Sequence, residues 1–222
     1  MSQPYDVVTF DCYGTLIDWE TGISEAFISA AARDGVSLER SAVLQAYAEI
    51  EPVVEAETFR PYREVLAETA VRVAGRLGWG MGRARAEFLP HSLPAWRPFA
   101  DTNPALERLH AAGLRLGILS NVDDDLLAGT RRHFTVPFDL IVTAAQVRSY
   151  KPAPGHFVTA RERLGNVAWL HAAQSWFHDV NPAAALGIPV AWVNRKSEPA
   201  GGGAKPVVEV TTLTELADWL LR

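Results

Sequence analysis

From Asn103 to the C-terminus, short apolar runs rich in β-branched residues alternate with segments of helical spacing. This alternation restricts the fold more than any other feature. Leu114–Leu119 (LRLGIL), Phe138–Thr143 (FDLIVT), Ala168–Ala173 and Pro189–Val193 read as strands. Asn103–Ala112 (closed by Gly113), Leu126–His133, Gly155–Leu164, Ala183–Leu186 and Thr212–Leu221 read as helices, the last with Thr212 and Glu215 spaced as a capping box. Alternating strands and helices predict an α/β fold built on a doubly wound parallel sheet. Tyr5–Phe10 (YDVVTF) adds a buried strand that ends in the turn-like cluster Asp-Cys-Tyr-Gly-Thr.

Between that first strand and the alternating region, alanine, leucine, glutamate and arginine dominate. Helices are predicted near 20–34, 38–56, 62–78 and 82–92, and Pro94–Asp101 (PAWRPFAD) is a return segment. The predicted organisation is an α/β core of residues 1–17 and 95–222, with a helical cap lobe inserted at 18–94. A chain of 222 residues, 48% of them hydrophobic, has enough material for both. Lys196–Lys205, with Gly201-Gly202-Gly203, reads as an exposed loop.

A net charge of −5 carries no basic footprint for nucleic acid or anionic lipid. No apolar run reaches membrane-spanning length. The expected partner is therefore a small molecule, with no nucleic acid and no membrane. The single cysteine, Cys12, excludes an internal disulfide, and no leader-like segment stands before the first strand. The expected location is the cytoplasm. Strand alternation turns Cys12 away from Asp11 and into the core.

Ligands of doubly wound sheets bind beyond the carboxyl ends of the strands. There the sequence places Asp11, Gly14 and Thr15, then Ser120 and Asn121, then Tyr150-Lys151-Pro152, then Gln174, Ser175, His178 and Asp179. Each group has an ordinary reading. Asp before Gly is a turn former, Ser-Asn before a helix is an N-cap, and a lysine before proline is a loop residue. Together they bring a carboxylate, a hydroxyl and amide pair, an ammonium and a second carboxylate to one rim. That set suits nucleophilic displacement followed by hydrolysis of the ester formed.

FDCYGTLIDW, ILSNVD, SYKP and FHDVNPAAALGIPVAWVNR resemble the four motifs of the haloacid dehalogenase superfamily, in order and across essentially the whole chain. Asp-x-Tyr-Gly-Thr is similar to the 2-haloacid dehalogenase branch, where phosphatase branches carry Asp-x-Asp-Gly-Thr. DCYGTLIDWETGI and HDVNPAAALG also resemble a subgroup that includes azetidine-2-carboxylate hydrolase. The resemblance implies a metal-independent hydrolase without cofactor. Asp11 would attack a saturated carbon of a small carboxylic acid, and water would then cleave the aspartyl ester. Ring opening of a strained amine is the alternative. A Mg²⁺-dependent phosphatase is a further one, but Tyr13 replaces its second aspartate and Gln174-Ser175 its fourth-motif Gly-Asp.

In this reading Lys151 favours the ionised Asp11, Thr15 helps hold the spare oxygen, and Asp179 positions or deprotonates the water. Substrate contacts are expected from Tyr13, Ser120, Asn121, Trp19, Gln45, Trp176 and His178. The tryptophans have core packing, and His178 helix capping, as the simpler alternatives. The resemblance also implies a cap arginine for the leaving halide. Val43–Glu51 has none, Gln45 or Tyr47 lies near that place, and Arg60 and Arg63 are substitutes from a neighbouring helix or, on the simpler reading, surface residues. Asp123–Asp125 reads as a surface helix start. A homodimer follows by family analogy only.

Overall fold

The computed structural model describes residues 4–222. Six strands form one parallel sheet: β1 (Val7–Phe10), β2 (Arg115–Ser120), β3 (Leu140–Thr143), β4 (Trp169–Ala173), β5 (Val190–Val193) and β6 (Val208–Val210). Their order is β3-β2-β1-β4-β5-β6. The chain runs outward from β1 to β2 and β3, then returns to the other side of β1 for β4, β5 and β6. The reversal lies between β1 and β4, which opens a crevice at their carboxyl ends.

The helices, in chain order, are α1 (Trp19–Ala32), α2 (Arg40–Glu55), α3 (Tyr62–Arg76), α4 (Phe88–Ser92), α5 (Thr102–Ala111), α6 (Asp124–Thr130), α7 (Ala144–Val147), α8 (Gly155–Leu164), α9 (Asn181–Ala185) and α10 (Leu213–Leu220). Two compact units result. One holds the sheet and comprises the segment up to Asp18, Pro98–Asn121 and Arg132–Arg222. The other is helical and comprises Trp19–Arg97 and Val122–Arg131.

In the sheet unit, β1 is buried along its whole length, as expected of a central parallel strand. Val7, Leu119, Val142 and Trp169 share a core with Phe157 of α8 and Ala183 of α9. Helices α5 and α10 pack on one another through the rows that carry buried Leu106, Leu109, Leu213 and Leu216. Thr212 caps α10 by accepting Glu215 N–H at 3.1 Å, while the Glu215 carboxylate reaches back to Thr211 N–H at 2.7 Å. The capping box thus closes one residue further out than its spacing predicts.

In the helical unit, the helix predicted at 82–92 is interrupted. Gly80, Gly82, Pro90 and Pro94 leave only a 3₁₀ turn at Arg83–Arg85, the short α4, and a second 3₁₀ turn at Leu93–Ala95. Gly22 of α1 is required by contact: a Cβ there would stand 2.3 Å from the Trp96 indole. Trp96 is buried at this contact and accordingly packs as core.

Asp123 corrects the reading of 123–125 as a surface helix start. It is buried, and its two carboxylate oxygens accept Tyr62 N–H at 2.9 Å and Arg63 N–H at 3.0 Å. It therefore caps α3 from a segment sixty residues away in sequence. Only Asp124 and Asp125 are exposed. The strand β6 was not legible, because only Val210 of its three residues is buried and the pattern is too short to register.

Candidate active site

The end of β1 carries Asp11, and the loop that follows turns back on itself. Gly14 takes a φ of 100°, which favours glycine, and its N–H donates to Ile17 O at 2.9 Å. Leu16 and Ile17 N–H both donate to Cys12 O. This turn brings Thr15 over Asp11: Thr15 Oγ1 donates to Asp11 Oδ2 at 2.9 Å and accepts Gln174 N–H at 2.9 Å. Cys12 points into the core, fully buried. Arg195 secures the loop from β5. It donates twice to Thr15 O, at 2.8 and 3.2 Å, pairs with Asp101, and lies 3.9 Å over the Phe99 ring.

Lys151 arrives from the loop beyond β3, and Asn121 at the end of β2 holds it in place. The Asn121 amide accepts Lys151 N–H at 2.7 Å and donates to Lys151 O at 3.0 Å. The ammonium then donates to Asp11 Oδ1 at 2.9 Å, Asp179 Oδ1 at 2.6 Å and Leu119 O at 2.9 Å. All three of its hydrogens are engaged, so Lys151 acts by its charge. The side chains of Lys151 and Asp179 are each 1% exposed and that of Asp11 is 11% exposed. Of the two carboxylates, Asp11 is the more exposed.

The three charges do not share evenly. Burial, followed by repulsion from Asp179, raises the Asp11 pKa, and the nearby Lys151 offsets only part of this. The expected favouring of ionised Asp11 by Lys151 is thus outweighed by burial. Asp179 is equally desolvated, but Lys151 and a hydrogen bond from His171 overcome that and hold it below the ordinary carboxylate range. Burial acts against the Lys151 charge, yet the two carboxylates raise its pKa.

Asp179 lies in a π-helical turn, Trp176–Val180, after β4. Ser175 opens the turn: its Oγ accepts His178 N–H at 3.1 Å and lies 3.0 Å from His178 Nδ1. Trp176 packs edge-on to Trp192, with centroids 4.7 Å apart, and lies close under Gly201, where a Cβ would stand 2.2 Å from its Nε1. Both contacts are of the packing kind that was the simpler alternative for this tryptophan. Ser120 Oγ and Asp179 Oδ2 are buried and have no hydrogen-bond partner among the described residues.

In the helical unit, Gln45 sits on the exposed side of α2 and donates to Glu49 at 3.2 Å, a placement that offers no support for a substrate contact. Tyr47, two residues on, is buried and packs against Trp19 with ring centroids 5.7 Å apart. Arg60 pairs with Glu57 at 2.7 Å, and Arg63 with Asp123 and Asp125. Tyr13 is half-buried in the loop after β1.

Two buried histidines escaped sequence reading. His171 in β4 lies 3.0 Å from Asp179 Oδ1, and His156 in α8 lies 3.0 Å from Ser120 O. The available signal was an imidazole inside a strand otherwise apolar (WLHAA) and another at the start of a helix facing the sheet.

The model of the haloacid dehalogenase-like hydrolases matches residues 5–186. The chain belongs to this family. As a member of it, the protein is 30% identical over 245 aligned residues to (S)-2-haloacid dehalogenase H-109 of Pseudomonas putida, covering 99% of each chain. Its fold matches that of the L-2-haloacid dehalogenase of Xanthobacter autotrophicus solved with chloropropionic acid covalently bound. The TM-score is 0.84 at 20% identity, with 98% of each chain covered. It also matches the HAD-hydrolase YfnB of Bacillus subtilis solved with magnesium, at TM-score 0.84 and 18% identity, over 98% of this chain and 99% of that one.

The residues here do not fit the magnesium arrangement. One ammonium bridges Asp11 and Asp179, Thr15 takes the second oxygen of Asp11, and residue 13 offers a phenol in place of a carboxylate. Among the described residues no group of three histidine, cysteine or acidic side chains is placed to hold a metal ion.

Proposed function

We propose that this hydrolase cleaves the carbon–halogen bond of a small 2-halo carboxylic acid through an ester on Asp11, without metal or cofactor. The observation that carries the reading is the shared ammonium. Lys151 neutralises one charge of the carboxylate pair and leaves Asp11 as the more exposed carboxylate. Such a site suits attack on carbon better than on a phosphate dianion, which would meet an unmasked carboxylate. The similarity to (S)-2-haloacid dehalogenase H-109 over the whole chain supports the substrate class.

An Asp11 oxygen forms a bond to C2 of the substrate, and the halide departs with the carbon–halogen electron pair. Halide needs no proton, which suits a site whose lysine has no hydrogen to give. Ser120 Oγ supplies a donor for the substrate carboxylate. Water then adds to Cγ of the Asp11 ester and Asp179 Oδ2 takes its proton. The donor that stays on the oxygen left unalkylated, Lys151 on Oδ1 or Thr15 on Oδ2, stabilises the oxyanion. The expelled alkoxide recovers the proton to give the 2-hydroxy acid, and Asp11 releases its own to solvent.

The helical unit serves as the cap. Among the described residues no helix is long and apolar enough to cross a membrane. A reducing cytoplasmic location accords with the buried free thiol of Cys12.

The test is halide release from a panel of 2-halo acids, alongside azetidine-2-carboxylate and phosphate esters, with and without EDTA. Halide release that persists in EDTA and disappears in Asp11→Asn is expected. Turnover confined to phosphate esters and lost on chelation would overturn the reading.

A further inference from the structure

His171 is a fully buried histidine to which the reaction above gives no task. In the parallel register Thr9 pairs with His171, and Val7 with Trp169 one step back. The three polar side chains therefore share one face of the sheet. Trp169 Nε1 donates to Thr9 Oγ1 at 2.7 Å, Thr9 Oγ1 lies 2.9 Å from His171 Nδ1, and His171 Nε2 lies 3.0 Å from Asp179 Oδ1. Phe157 meets the imidazole edge-on at 5.2 Å.

The direction of this chain follows from its first member. An indole N–H can only donate, so Thr9 Oγ1 accepts there and keeps its own hydrogen to give. Giving it to His171 Nδ1 puts the ring hydrogen on Nε2, aimed at Asp179. The reverse direction would strand a buried hydroxyl hydrogen, a cost of about 1–3 kcal/mol. Every donor is satisfied in the first arrangement.

We propose that His171 is a positioning residue that fixes the Asp179 carboxylate, so that Oδ2 alone faces the water attacking the Asp11 ester. The proposal rests on the Asp11-ester reading. Oδ1 takes two hydrogen bonds, from Lys151 and His171, while Oδ2, buried, takes none from the described residues. Two donors on one oxygen stop the carboxylate from rotating. With Lys151 alone, either oxygen could pair with the ammonium, and the water would lose its fixed base.

The test separates ester formation from ester hydrolysis by rapid quench and mass spectrometry of Asp11, with (S)-2-chloropropionate as probe. His171→Leu is expected to form the ester at the wild-type rate and hydrolyse it about 10- to 100-fold more slowly. Ester would accumulate, and kcat and KM would fall together. His171→Gln, whose amide reaches the same oxygen, should recover most of the loss. Thr9→Val keeps the imidazole but removes its orienting hydroxyl. It should slow hydrolysis by about three- to tenfold, and it carries the test if His171→Leu does not fold. Unchanged ester hydrolysis in a folded His171→Leu or in Thr9→Val would overturn the proposal, as would His171→Gln as slow as His171→Leu. Wild-type enzyme that never forms an Asp11 adduct would overturn the ester reading itself, and the positioning role with it.

Discussion

Replacing Lys151 with methionine removes one positive charge from between two desolvated carboxylates and changes little else in volume. At the observed 2.9 Å between Nζ and Asp11 Oδ1, Coulomb attraction at an effective dielectric of about 20 is about 6 kcal/mol. Measured shifts beside a single opposite charge are smaller, about one to three pKa units. Asp11 already lies above its ordinary pKa because of burial and Asp179, so the loss of Lys151 moves it further up. The nucleophile must be ionised, and each unit above the working pH removes about tenfold of it. Halide release followed across neutral to alkaline pH should therefore fall near neutrality in Lys151→Met, by about tenfold for each unit by which the new Asp11 pKa exceeds the working pH. It should then climb as pH rises through the new Asp11 pKa. The same variant should resist urea better in mild acid than in mild alkali. A raised carboxylate pKa contributes stability below it and loses that contribution as pH rises. Activity within threefold of wild type and flat with pH would refute the assignment of Lys151 as the counter-charge that keeps Asp11 reactive.

His156 gives a prediction in the opposite direction of pH. Burial, followed by the charge of Lys151, lowers its pKa to about 3. Between its unfolded value near 6.5 and that folded value, the unfolded chain binds one more proton. Stability should fall by about 1.4 kcal/mol for each pH unit of acidification. Urea titrations of His156→Gln should show that slope reduced by about one proton over this window; an unchanged slope would count against the neutral, buried imidazole. Asp123→Ala should destabilise the fold by about 1–2 kcal/mol in chemical denaturation, through loss of the charged cap on α3. An effect below a few tenths of a kcal/mol would show that cap to be dispensable. Gly22→Ala should cost about 1–3 kcal/mol, because the methyl overlaps the Trp96 indole and one of them must move.

The sheet was legible because parallel strands are buried on both faces and read as continuous apolar runs, as VVTF and LRLGIL do. The rim was legible for a related reason: chemistry-bearing residues follow the strands directly, so strand ends point to Asp11, Ser120, Asn121 and, one turn later, Asp179. Lys151 needed the additional pattern of the third motif, since nothing local distinguishes it from a loop lysine. Contacts made across long sequence distances stayed hidden. Asp123 looks like an N-cap for its own helix, yet its oxygens go to α3. Asn121 looks like a substrate-facing amide, yet both its ends grip the Lys151 backbone. His171 depends on the register of β4 against β1, which no local spacing specifies. Gln45 and Tyr47 were near equals in sequence, and the rotation of α2 separates them, one outward and one buried.

In the Asp11-ester reaction the oxygen entering the product first belongs to Asp11. A single turnover in heavy-oxygen water, with enzyme in excess over (S)-2-chloropropionate, examines it directly. Mass spectrometry of the Asp11 peptide and of the product locates the label. Heavy oxygen is expected in the Asp11 carboxylate, and the first-turnover product should carry none. Heavy oxygen in that product, with an unlabelled Asp11, would mean that water attacks the substrate carbon itself and that no Asp11 ester forms.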